Sequence, residues 1–265
     1  MNEMISPENI RKALNILKPN GELFEIRILA KPKKTLSGYF KNIDLAIEEL
    51  EKQNLRNANV FWTLNVINDG CYDRNQHDKF EVPENTTQDK EIMGYKWLLV
   101  DLDPVRVTGT SSTDKQLNLA KSKARTVSAY LKRQGFEEPV VAMSGNGYHL
   151  LYRVQMKKDR ESTVEGFLKA LDLMFSDDDI KIDTANYNPA RICKLYGTLA
   201  QKGTGLTKGH IGCHTFAVCR KRYGSHQLPT SRKSLIPYRR RKNRNRITII
   251  TRRSLISGTG CQNMV

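Results

Sequence analysis

The chain has 265 residues, room for one large domain or one domain with an appendage. It is 38% hydrophobic with a mean hydropathy of −0.56; no apolar run approaches the roughly 18 residues a membrane span needs, and Met1 to Pro19 lacks a signal-peptide core, so a membrane protein is excluded and a cytoplasmic location is expected. The net charge of +16 is one-sided: all 28 acidic residues lie at or before Asp183, so residues 1–183 sum to −1 and residues 184–265, with 17 Lys and Arg and no acid, to +17.

In chain order, residues 7–18 are predicted helical, with Ile10, Leu14 and Leu17 on one stripe, ended by Pro19-Asn20-Gly21. Leu23 to Ala30 alternates as a strand. Ile43 to Lys52 reads as an acidic amphipathic helix with Leu45, Ile47 and Leu50 partly buried, and Val60 to Val66 as a buried strand. Residues 68–92 are polar loop with some helix. Lys96 to Asp103 is an apolar strand that ends in two carboxylates before Pro104. A long helix from Thr113 to Gln134 stops at Gly135. Strands at Pro139–Met143 and Tyr148–Val154 flank a Gly-Asn-Gly turn. A helix from Ser162 to Phe175, a strand at Ile180–Ile182 and an extended Arg191–Tyr196 follow. This mixture predicts an α/β or α+β fold with a mixed β-sheet.

Asp101 and Asp103, two apart on a strand, point to one face. Two carboxylates so close resist joint ionisation unless a cation or donor stands between them, and oxygen ligands suit Mg²⁺ or Mn²⁺. Taken alone, D-x-D is more often a solvated strand end with two surface acids. The apolar run Trp97 to Val100 argues otherwise, because it places the pair at the end of a core strand, where ligand sites gather. In Ser144-Gly145-Asn146-Gly147-Tyr148-His149 the glycines permit close backbone approach, and such a turn can cradle a triphosphate; taken alone, an ordinary hairpin is the better account of it. Asp183 is a candidate third carboxylate, and Arg191 and Lys194, with Lys202 a weaker candidate, are cations suited to phosphate.

The order of these features is more telling than any one. D-x-D, then S-G-x-G-x-H, then an apolar residue and Asp, then R-x-x-K-x-Y-G-T resembles the archaeo-eukaryotic primase superfamily, and more closely the primase-polymerases of phages, plasmids and other mobile elements. The resemblance covers about residues 20–205. It takes in Glu25-Ile26-Arg27, Ser37 to Phe40, Thr63-Leu64-Asn65, Trp97 to Pro104, Ser144 to Arg153 and Asn188 through Thr198. It implies a catalytic domain over residues 1–205, with an RRM-like catalytic sheet (about 93–205) packed beside an N-terminal α/β unit (about 1–92). It implies a DNA-directed nucleotidyltransferase that makes primers on a single-stranded DNA template from NTP or dNTP, with a replicative helicase as a further partner. The metal ligands and catalytic residues it implies are Asp101, Asp103 and Asp183, with Mg²⁺ or Mn²⁺ as cofactor. The nucleotide contacts it implies are Ser144, Gly145, Gly147, His149, Arg191 and Lys194.

Residues 206–265 depart from the pattern. They form a basic tail centred on Arg239-Arg240-Arg241-Lys242, and from Gly209 onward it holds no Asp or Glu. One reading is a template-binding arm. Another is translation out of frame: re-read from the last codon base of Lys208, the codons through Cys213 permit Arg-Pro-His-Arg-Leu, and the family pattern carries R-P-H-R there. The cysteines form no C-x-x-C pair, and Cys71 with His77 has no diagnostic zinc spacing, so free thiols are expected. Two rival functions are a metal-dependent D-x-D glycosyltransferase, which leaves Ser144–His149 unexplained, and a non-catalytic DNA-binding replication initiator.

Overall fold

The computed structural model describes residues 4–201 apart from Asn20, Lys31 and Lys33; the basic tail, its reading frame and Lys202 lie outside the described residues. The N-terminal part begins with α1 (Pro7–Leu17), whose Pro7 stands in the first turn, where a missing N–H costs no hydrogen bond. Strands β1 (Phe24–Ala30) and β2 (Lys34–Phe40) form a hairpin. Helix α2 (Ile43–Glu51) follows, capped by the Asn42 side chain on the Asp44 and Leu45 N–H groups. Strand β3 (Ala58–Thr63) pairs with β1 and, at the far end of the chain, with β9 (Ile192–Lys194), giving the order β2-β1-β3-β9. Helix α2 buries Ala46, Ile47 and Leu50; Leu45, expected among them, is 40% exposed.

The second sheet is built from β4 (Val66–Ile67), β5 (Ile92–Pro104), β6 (Val140–Met143), β7 (Tyr148–Lys157) and β8 (Ile180–Ile182). Helix α3 (Asp114–Arg133) joins β5 to β6, and α4 (Glu161–Phe175) joins β7 to β8. β7 lies between β5 and β6, while β8 pairs with the other edge of β5. The order β8-β5-β7-β6 with two crossover helices is the split β-α-β-β-α-β arrangement of an RRM-like unit. The expected α+β class with an RRM-like sheet is therefore what the chain folds into. The mixed sheet expected within it is instead two sheets in which each pairing between these strands is antiparallel. The crossovers do make β5 and β6 run parallel, but β7 separates them.

Helices α3 and α4 cover one face of this sheet. Ala120, Ala124, Val127 and Leu131 of α3 and Val164, Leu168 and Leu171 of α4 meet Leu98, Val100, Leu102, Leu150 and Ile182. The opposite face meets the N-terminal sheet: Trp97, Leu99, Ala142 and Leu151 pack with Ile26, Ile28, Val60, Trp62 and Cys193. A register shift in β5 between Tyr95 and Trp97 sets this phase. Tyr95 packs on the helix side, Trp97 on the other, although they are two apart; an extra residue in a strand reverses its alternation. Asn65 makes the shift tolerable, its Oδ1 accepting the N–H groups of Lys96 (3.0 Å) and Trp97 (3.3 Å). Turning Trp97 and Leu99 outward would cost about 1.5–3 kcal/mol per side chain. The phase that buries them also puts Asp101 and Asp103 on the face turned to the N-terminal sheet. Among the described residues no helix is long and apolar enough to cross a membrane.

Candidate active site

The central strand β5 carries Asp101 between two neighbours. On one side Asp101 pairs in register with His149 of β7. On the other, the ladder to β8 runs Pro104–Ile180, Asp103–Lys181, Leu102–Ile182, and continues as the Asp183 N–H donates to the Asp101 carbonyl at 3.0 Å. Directly opposed residues of antiparallel strands share a face, with Cβ atoms about 4.5–5.5 Å apart. His149, Asp101 and Asp183 thus form a row across the sheet, and Asp103 extends it along β5.

The His149 imidazole is buried, with Nε2 3.3 Å from Asp101 Oδ1 and Nδ1 2.7 Å from the Tyr196 hydroxyl. Burial alone would depress its pKa, but the Asp101 carboxylate together with Cys193 beside the ring outweighs burial and holds the imidazolium well above the ordinary histidine value. Tyr196 is itself fully buried, and burial raises its phenol well above its usual pKa. Cys193 Sγ lies 3.4 Å from that hydroxyl.

The Ser144–Gly147 turn closes on itself: the Ser144 N–H donates to the Gly147 carbonyl (3.0 Å) and the Gly147 N–H to Ser144 Oγ (3.1 Å). It also presses on its surroundings. A Cβ on Gly147 would stand 2.3 Å from the Leu102 carbonyl oxygen and 2.5 Å from Asp103 Oδ1. Gly145 has φ +101°, and a Cβ there would meet Ala200 Cβ at 2.3 Å. Asn146 is buried and fastens the turn to the segment before α3, its Oδ1 accepting the Ser112 N–H (2.9 Å) and its carbonyl the Ser112 hydroxyl (2.6 Å).

The structure thus brings Asp101, Asp103, Asp183, His149 and the Ser144–Gly147 turn to one end of the sheet. The other two candidates have different company. The Arg191 guanidinium donates to the Ala185 carbonyl, inside the turn that follows Asp183, and with Asn65, Asn186 and Asn188 it lines a small pocket beside β5. The Lys194 ammonium donates to the Leu199 carbonyl (2.7 Å) and lies over the Phe61 ring; burial pushes its pKa down to about 7. Lys194 pairs with Phe61 and Cys193 with Trp62, so alternation puts Lys194 on the face of its sheet away from the shared core.

No protein-family model matches the chain, and no curated protein does. Among solved structures, the chain is similar to two primases. One is the AEP domain of the cyanophage S-2L primase-polymerase, at 12% identity over 75% of this chain and 85% of that one, with a TM-score of 0.43. The other is primase RepB′, at 13% identity and a TM-score of 0.43, over 76% of this chain and 52% of that one; the chain spans about half of RepB′'s length.

Asp101 and Asp103 offer hard oxygen donors of the kind Mg²⁺ and Mn²⁺ take. The absence of a side chain at Gly147 leaves the Asp103 carboxylate the space a Cβ would fill. The donor set therefore fits such a cation. No three described His, Cys, Asp or Glu side chains are grouped closely enough to hold an ion together. The Asp183 carboxylate accepts the Ala185 N–H (2.8 Å) and donation from Asn186 Nδ2 (3.1 Å) within its own turn. Sequence reasoning took Asn65 and Tyr196 into the resemblance without giving either a role, and overlooked Arg106. Arg106 stands three residues after Asp103, a spacing in plain view, and its Nη2 lies 3.8 Å from Asp103 Oδ2.

Proposed function

We propose that the chain is a metal-dependent nucleotidyltransferase of the primase-polymerase kind, making primers on single-stranded DNA from NTP or dNTP in the replication of a mobile element. The observation that carries this reading is that the backbone sets Asp183, at the end of β8, beside Asp101 and Asp103 of β5, with the Ser144–Gly147 turn packed on Asp103. A glycosyltransferase D-x-D needs no such turn, and an initiator that only binds DNA needs no such carboxylates.

Asp101, Asp103 and Asp183 would hold Mg²⁺ or Mn²⁺, with Asp183 released from its turn to do so. Such a cation, when bound, supplies charge neutralisation at the transferred phosphate and lowers the pKa of the attacking hydroxyl. His149 pairs with Asp101 and fixes its orientation through a ring that Tyr196 holds from behind. Ser144 gives up a lone pair to Gly147 and keeps its own O–H to donate to a phosphate oxygen. Arg191, beside the turn that follows Asp183, contributes positive potential on that side of the site. The protein provides no nucleophile of its own; it binds, orients and neutralises.

The test is primer synthesis on single-stranded DNA with labelled NTP or dNTP, in Mg²⁺ or Mn²⁺. Template-dependent products are expected with at least one pairing of nucleotide and metal. No product with any pairing, or equal product without divalent metal, overturns the reading.

A further inference from the structure

The loop between β5 and α3 borders both halves of the site. Its first residue, Val105, is fixed to the bend before β8 by an N–H to the Asp179 carbonyl at 2.7 Å. Its end, Ser112, is tied to Asn146 of the Gly-Asn-Gly turn. Arg106 is the hub of this loop. Its Nε donates to the Thr110 carbonyl (3.1 Å) and its Nη1 to the Pro104 carbonyl (3.0 Å), with Gly109 at φ +84° making the bend between them. The side chain is 10% exposed, which sets it apart from an ordinary surface arginine. Two edges of the guanidinium fork are spent on backbone carbonyls, one at the end of β5 and one in the loop, and Nη2 is directed at Asp103. At 3.8 Å that contact is too long for a hydrogen bond and acts through charge alone. A rigid, always ionised, planar cation at the edge of a carboxylate pair has the donor geometry that phosphate oxygens take.

We infer that Arg106 is a further positioning residue of the nucleotide site: a loop-clamped guanidinium that holds the Asp103 charge while the site is metal-free and binds the polyphosphate of the incoming nucleoside triphosphate once a divalent cation takes Asp103. This deepens, and rests on, the nucleotidyl-transfer reading of the same carboxylates. Arg106 opposes a cation at Asp103 and attracts the triphosphate, so its removal moves two affinities in opposite directions. A merely structural arginine would weaken both or neither.

The experiment uses the full chain and reads binding rather than turnover. Mn²⁺ affinity is measured by electron paramagnetic resonance without nucleotide, and dATP affinity by calorimetry at saturating Mn²⁺, for the wild type, Arg106→Ala and Arg106→Lys. Arg106→Ala is expected to bind Mn²⁺ several-fold more tightly and dATP about tenfold more weakly, the loss of one charge-assisted contact. Arg106→Lys keeps the charge without the fork, so its Mn²⁺ affinity stays near wild type while dATP binding falls part of the way. If Arg106→Ala melts cooperatively and both affinities are unchanged, or both weaken together, the inference fails and the carboxylate site stands. If Arg106→Ala does not fold, Arg106→Lys decides: dATP binding equal to wild type overturns the role. If the wild type binds Mn²⁺ no better than Asp103→Asn does, the site reading fails and takes the role of Arg106 with it.

Discussion

The His149 imidazole stands 3.3 Å from the Asp101 carboxylate, in register across β5 and β7, with the Tyr196 hydroxyl 2.7 Å behind it. This buries a charged pair at the head of the site. Removing one partner of a buried pair costs about 3–5 kcal/mol, because the other charge is stranded. Asp101 keeps 20% of its side chain exposed, so His149→Ala is expected to cost no more than the lower end of that range, about 2–3 kcal/mol. Its kinetic signature is a fall in kcat larger than the rise in nucleotide KM, since the ring acts through Asp101. A stability loss under about 0.5 kcal/mol in urea melts would sink the charged-pair assignment.

The carboxylates separate activity from stability in the other direction. Asp103→Asn and Asp183→Asn remove negative charge from a crowded sheet end while keeping shape. Both are expected to lower nucleotide incorporation by at least about a hundredfold, the scale of losing a transition-state charge contact, with a melting temperature unchanged or raised. Wild-type incorporation by either variant in a primer-extension gel removes that residue from the site.

Much of this arrangement was legible beforehand, and the exceptions have physical causes. Helix α3 declares itself through the Thr113–Gln116 capping box and the stripe Ala120, Ala124, Val127, Leu131. The strand ending in Asp101 and Asp103 is plain from its apolar run. Strand β2 escaped because Gly38 and the polar start Lys34-Thr35 blur its alternation, although Ser37 to Phe40 is buried. Leu45 was placed inward by residue type, but the small Ala46 takes the buried position. The β5 register shift is invisible in sequence because Asn65, the residue that satisfies it, is remote in the chain; the same side chain also donates to the Pro189 carbonyl at 3.0 Å. Nor can spacing reveal that β8 lies against β5, which is what sets Asp183 beside Asp101.

The two turn glycines are expected to behave differently on substitution. Gly147→Ala meets backbone and the Asp103 carboxylate at 2.3 and 2.5 Å, so the turn must move off the acid. A loss of about 1–3 kcal/mol is expected, with incorporation nearly abolished. Gly145→Ala meets the Ala200 methyl and also suffers from its φ of +101°. Ala200→Gly should restore part of the Gly145→Ala loss and none of the Gly147→Ala loss. Equal rescue of both, read from melting temperatures, would mean the two contacts are wrongly assigned.

Lys18 gives the fold a pH dependence of known sign. It follows α1, is fully buried, and donates from Nζ to the Asn65 carbonyl at 2.8 Å. Burial pushes its pKa from 10.5 down to about 7, with Glu22 pulling the other way and Lys96 adding to the depression. Between about pH 7 and 10.5 the unfolded chain binds a proton at this site that the folded chain does not, so folding stability rises with pH across that window. The slope approaches about 1.4 kcal/mol per pH unit for one such group. Lys194, pushed down to about 7 by its own burial, adds a second share of the same sign. Below pH 7 both lysines take up protons in the folded state and the benefit is gone. Lys18→Met deletes the ionisable group and keeps its bulk, at the expense of the bond to Asn65. In urea melts at pH 6, 7, 8 and 9 the stability of the wild type relative to Lys18→Met should therefore climb with pH, with most of the gain above pH 7. A difference that stays flat from pH 6 to 9 would show that Lys18 keeps an ordinary pKa and is reached by water.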